Sequence, residues 1–119
     1  MRTGPTNQEL KGLIAELKKR HYTDNRLIWK RVAKDLERPT RNRRAVNLSR
    51  INMHTKENET IIVPGKVLSS GELDHSIVIA AWRFSEQAVE KIKKANAKAI
   101  SIYDLMKENP DGKGVRIIG

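Results

Sequence analysis

The excess positive charge of this chain is confined to one half of it, and no feature constrains the fold more. Positions 1–56 carry 15 lysines and arginines against 5 aspartates and glutamates, whereas positions 57–119 carry 9 against 9. A merely solvated surface mixes the signs throughout, but here the whole formal charge of +10 belongs to the first half. Within that half, Pro39-Thr40-Arg41-Asn42-Arg43-Arg44 has no apolar side chain and cannot be a core element. The core must come from the segments on either side. Apolar residues make up 38% of the chain, below the ~45–50% usual in globular proteins, so a modest core under an ionic surface is expected.

The length of 119 residues is that of one domain. The absence of cysteine excludes a disulfide framework and thiolate metal sites. No apolar run approaches the ~18 residues needed to cross a bilayer. The start, Met1-Arg2-Thr3-Gly4-Pro5-Thr6, has no apolar stretch of the signal-peptide kind. A cytosolic protein without membrane partners is the expectation. The sequence pI of about 10.2 lies above the ~9 that marks the electrostatic footprint of nucleic-acid binding.

Thr6-Asn7-Gln8-Glu9 has the form of a capping box, and Leu10, Leu13, Ile14 and Leu17 follow at helical spacing. They predict a first helix to about Arg20. Thr23, Asp24 and Asn25 offer the next N-cap, and Ile28, Trp29, Val32 and Leu36 form the apolar stripe of a second helix. Arg26, Lys30, Arg31 and Lys34 fall on its other side. Arg38-Pro39 ends it, because a residue before proline avoids helical geometry.

Val46 to Met53 alternates imperfectly and reads as a strand, bulged near Arg50. Thr60–Val63 is a second strand, broken by Pro64-Gly65-Lys66, with Val67-Leu68 pairing briefly after it. Ile77–Ala81 is a buried strand. Ser85 caps a helix to about Ala95, Ala99–Ile102 is a strand, and Tyr103–Glu108 a short helix stopped by Asn109-Pro110. Asp111 to Gly114 is a turn and Val115–Ile118 the last strand. The fold class is α+β. The first two helices and the arginine-rich segment (1–45) read as a basic extension of a globular part (46–119) within a single domain.

Arg38, Arg41, Arg43, Arg44 and Arg50 lie within thirteen residues. Guanidinium is planar, stays charged and can bond a phosphate through two donors at once. Asn42 and Asn47 add hydrogen-bonding groups. The bland alternative is a solvated loop whose arginines pair with carboxylates, but only Asp35 and Glu37 are near in sequence. The row Arg26, Lys30, Arg31, Lys34 is less specific, since exposed helix faces are often lysine-rich. Trp29 belongs with the core stripe rather than with a base-stacking site. On these strand boundaries no strand carries two aromatics at alternate positions, which disfavours a sheet that stacks bases. Gly65 is expected to supply an unusual backbone dihedral and leave Lys66 free to touch RNA. A Walker loop is excluded, because the upstream glycine and following Ser or Thr are missing.

Catalysis has little support. His21, His54 and His75 are far apart in sequence. Asp74-His75-Ser76 is triad material only in composition, since adjacent residues cannot all converge on one substrate. No His/Asp/Glu cluster has ligand spacing. No cofactor and no small-molecule substrate are expected.

The run from Ile62 through Pro64-Gly65-Lys66 and Ser69-Ser70-Gly71-Glu72-Leu73-Asp74-His75, then Ile77–Ala81 and Phe84-Ser85, resembles the eighteen-e family of archaeal and eukaryotic large-subunit ribosomal proteins. That family shares a superfamily with the bacterial fifteenth large-subunit protein. Ile28-Trp29-Lys30, Val32-Ala33, Arg38-Pro39, Val46 to Ile51, Ser101-Ile102, Asn109-Pro110 and Gly112 to Ile118 extend the resemblance over nearly the whole chain. It implies an irregular superhelix of β-β-α turns. It also implies a structural role in binding large-subunit ribosomal RNA, beside neighbouring large-subunit proteins, as one copy per ribosome rather than a homo-oligomer. One departure is visible. Where the family pattern has a glycine pair after the Ser85 helix, this chain has Ala95-Asn96-Ala97, and Asn96 can take the left-handed terminus. The rival reading, a free-standing RNA- or DNA-binding regulator, would need a dimer interface or a groove-reading helix.

Overall fold

A computed structural model describes residues 8–24, 27–37, 44–109, 112 and 114–118. The elements run α1 (Gln8–Asp24), α2 (Leu27–Leu36), β1 (Arg44–Asn47), α3 (Leu48–His54), β2 (Thr60–Leu68), β3 (Val78–Phe84), α4 (Glu86–Lys94), β4 (Lys98–Ser101), α5 (Ile102–Glu108) and β5 (Val115–Ile117). Helix and strand are mixed, in agreement with the expected α+β class at that level.

Among the described residues every strand pairing is parallel. The order is β1-β2-β3-β4, with β5 also on β2. Because β3 lies along β2 from Thr60 to Val67, β1 and β5 share the other edge of β2. There β5 pairs with Thr60–Ile62 and β1 with Gly65–Leu68. Residues 61–65 are consequently all buried, as expected of a parallel strand covered on both faces.

Alternate residues of β2 and β3 feed two separate cores. Ile62 and Ala80 point to one, with Leu10, Leu13, Leu17, Trp29, Val32, Leu36, Ile102 and Leu105. Ile61, Val63, Ile79 and Ala81 point to the other, with Leu48, Ile51, Ala88 and Ile92. Thus α1, α2 and α5 cover one face of the sheet, and α3 and α4 the other. The first two helices, read from the sequence as an extension, build one of the two cores.

Several boundaries differ from expectation. Helix α1 runs on to Asp24, so Thr23 and Asp24 end it rather than cap α2. Thr6 and Asn25 lie outside the described residues. The strand expected over Val46–Met53 stops at Asn47, and residues 48–54 are helical. Leu48 and Ile51 are buried at helical spacing. As a strand they would point to opposite faces, which is why the alternation looked imperfect.

The two short strands around Pro64 are one strand. From Val63 to Lys66, β2 advances three residues while β3 advances two, from Ala81 to Arg83, so Pro64-Gly65 is a bulge rather than a break. A bulge is where a central strand tolerates a residue without an N–H. Gly65 is not among the described residues with positive φ, which are Asn58, Gly71, Asn96, Gly112 and Gly114. The strand expected over Ile77–Ala81 runs on to Phe84, and Ile102 opens α5 instead of closing β4.

Other expectations hold. The Ala88 N–H donates to Ser85 Oγ at 3.1 Å, capping α4. Asn96, at φ 59°, supplies its left-handed exit. Gly112 and Gly114, between α5 and β5, have positive φ, while the other residues of the expected turn, Asp111 and Lys113, lie outside the described residues.

Candidate nucleic-acid interface

The burial of Trp29, Val32 and Leu36 against the sheet turns the opposite side of α2 outward. Lys30, Arg31 and Lys34 stand on that side, all exposed. None is paired with a carboxylate among the described residues. With Asp35 and the exposed Leu27 they line a shallow cleft. Glu37, one of the two acids near the arginine cluster, is already engaged by Lys18 at 2.6 Å.

A second group lies where β1 passes into α3. Asn47 holds the N-cap position of α3 without a side-chain cap bond, so its half-buried amide keeps its hydrogen-bonding capacity. Arg50 follows on the exposed side of the helix. The pairing of Arg44 with Gly65 and of Asn47 with Leu68 brings this segment beside the bulge of β2. Lys66 emerges there, exposed and paired with no carboxylate among the described residues. Asn47 and Lys66 therefore lie near the end of the sheet where β1 and β2 finish, and Arg50 follows Asn47 on α3. The α2 row belongs to the layer on the other face from α3 and does not join them. Arg26, Arg38, Arg41, Asn42 and Arg43 lie outside the described residues, and of Arg44 only the backbone is described.

Sequence reasoning missed Arg83. It is the register partner of Lys66, it is exposed, and its guanidinium sits 4.9 Å from the centroid of the Trp82 ring. Trp82 and Phe84 are alternate residues of β3, which runs past Ala81, but Trp82 packs against the α1–α2 core and Phe84 against the α3–α4 core. The signal was present in Trp82-Arg83-Phe84, which continues the strand's β-forming character.

One constellation has the order of a hydrolytic triad. Asp74 Oδ1 lies 2.8 Å from His75 Nδ1, and His75 Nε2 lies 2.7 Å from Thr55 Oγ1. It differs from the expected Asp74-His75-Ser76 grouping, because Thr55 arrives from the end of α3. It is a structural tie. Thr55 is only 8% exposed, and its hydroxyl donates to the Ile51 carbonyl at 2.7 Å. The hydrogen bond from His75, with one from Asn52, holds the Asp74 carboxyl below its ordinary range. Across the sheet, Arg116 of β5 donates to the His54 carbonyl at 3.0 Å and to Glu59 at 2.8 Å. That guanidinium and the Lys56 N–H lower the Glu59 carboxyl likewise. No helix among the described residues is long and apolar enough to cross a membrane.

Cations held out on both flanks of a parallel sheet define a small basic protein electrostatically fitted to polyanions. A family model described as ribosomal proteins 50S-L15, 50S-L18e and 60S-L27A matches residues 26–100. The chain is 48% identical over 113 residues to large ribosomal subunit protein eL18 of Methanothermobacter thermautotrophicus, spanning 95% of this chain and 93% of that one. It is 50% identical over 113 residues to the eL18 of Methanoregula boonei, with the same coverage. The eL18 of Sulfurisphaera tokodaii is 44% identical over 117 residues, spanning 98% of this chain and 96% of that protein. The chain belongs to the family of ribosomal proteins 50S-L15, 50S-L18e and 60S-L27A. It is a constituent of the ribosome and not an enzyme.

Proposed function

We propose that this protein is a structural constituent of the large ribosomal subunit that binds and stabilises large-subunit ribosomal RNA. Its identity of 44–50% to three large-subunit proteins over nearly its whole length carries the reading. Lys30, Arg31, Lys34, Arg50 and Lys66, exposed and without a carboxylate partner among the described residues, support it. With Arg26, Arg38, Arg41, Asn42, Arg43, Arg44 and Asn47 they make up the contact set. The protein works in the cytoplasm, in one copy per ribosome, beside neighbouring large-subunit proteins and without a cofactor or small-molecule substrate.

We read residues 1–119 as one unit, in which 1–56 supplies most RNA contacts and 57–119 the folded scaffold. The strand–strand–helix order of β2, β3 and α4 supports the β-β-α superhelical description. Sedimentation tests the assignment. Tagged protein should co-migrate with large subunits and remain through a moderate-salt wash. Recovery at the top of the gradient would refute it and favour a free-standing regulator.

A further inference from the structure

The Lys66–Arg83 pair lies at the C-terminal ends of parallel strands, the edge at which open parallel sheets commonly take ligands. A solvent-open cleft there is lined by Lys66, Trp82, Arg83, Phe84, Ala99 and Ile100, among others. Its volume of about 570 Å³ falls within the ~300–1,000 Å³ of sites that hold small ligands. The walls combine two cations and two aromatic rings with a small apolar floor. Arg83 is exposed, pairs with no carboxylate among the described residues and rests over Trp82.

We infer that this cleft binds one unstacked nucleotide of single-stranded RNA. The phosphate is bonded by Lys66 Nζ, and the base lies against the guanidinium that Trp82 supports. Unpaired bases are recognised by stacking on aromatic rings and arginine planes, whereas paired bases offer no free face. A cleft at a sheet edge admits a splayed base but not a duplex. The inference rests on the proposed RNA-binding role and deepens it, because it specifies a looped or bulged element.

Intrinsic fluorescence reads this site, since Trp29 is fully buried and of the two tryptophans only Trp82 reaches the surface. An oligouridylate of about eight nucleotides, within the range of single-stranded sites, should quench full-length protein saturably. A fully paired RNA hairpin of equal charge should not. Arg83→Ala and Lys66→Ala should each weaken binding about tenfold, with unchanged melting temperature. Arg83→Lys should recover less than half of the loss, because it restores charge without a planar face. Equal quenching by the hairpin, equal quenching by an oligoglutamate, no quenching, or unchanged affinity in Arg83→Ala would each overturn the inference. Large-subunit incorporation of the parent protein, measured alongside, separates this failure from failure of the ribosomal assignment.

Discussion

Gly71 shows how much one side chain can cost here. Its φ is +90°, and a Cβ would stand 2.4 Å from Ser49 Cβ and 2.8 Å from the Ser49 backbone. Ser49 cannot retreat freely, because its N–H donates to the Ser70 carbonyl at 3.0 Å. Gly71→Ala should therefore lose at least about 2 kcal/mol, from backbone strain before the clash is counted. Urea unfolding at neutral pH measures it, and a loss below ~0.5 kcal/mol would disprove the close approach. Two carboxylates predict the acid limb of stability. Glu59 and Asp74 both have lowered folded pKa values, by way of Arg116 and His75. Their contribution is complete above the ordinary carboxylate range near pH ~4. It is lost as pH falls through the lowered folded values. Melting temperature should thus drop on acidification below about pH 4, and the drop should be shallower in Arg116→Ala, which loses the Glu59 share. An identical acid limb in that variant would contradict the assigned cause.

At the level of elements, locally specified features were legible and non-local ones were not. The Ser85 cap, the Asn96 exit and the Leu10–Leu17 stripe depend on neighbours within a turn, so spacing alone exposed them. Ser85→Ala should cost about 1 kcal/mol, the usual loss of an N-cap. The switch from β1 to α3 was missed because Leu48 and Ile51 face a core whose other wall, Ile61 and Val63, comes later in the chain. The bulge at Pro64-Gly65 read as a break because its pairing partners are Arg44 and the end of β3. The same non-locality hid the site. Lys66 was identified as a candidate, but nothing in the sequence sets it beside Arg83. The central strand β3 can be tested directly. Ile79 is fully buried and pairs in register with Ile61 and Ala99. Ile79→Asp would strand an unpaired charge there, losing several kcal/mol or all folding. Lys30→Ala should stay within about 0.5 kcal/mol of the parent. A folded Ile79→Asp protein with parental urea midpoint would remove β3 from the core.

For the molecule as a whole, the charge asymmetry and the layering have a joint consequence. The neutral half supplies most of the sheet, while the basic half supplies α1, α2, β1, α3 and the arginine-rich segment between α2 and β1. The arginine-rich segment has no apolar side chain to give to either core, so its proposed RNA binding can be altered separately from the fold. Replacing Arg41, Arg43 and Arg44 by lysine keeps the formal charge of +10 and removes only the planar, two-donor geometry. Long-range attraction depends on charge, so the triple-lysine protein should bind an rRNA fragment with a salt dependence like the parent's, at least ~5 ion-equivalents in the log–log slope. Seating in a folded subunit depends on fixed bidentate contacts to particular phosphates and base edges. In cells expressing equal amounts of tagged parent and tagged triple-lysine protein, the parent should predominate severalfold in purified large subunits. Equal incorporation would mean that charge alone places this segment, and its arginines would then be no more than a concentrated source of positive charge.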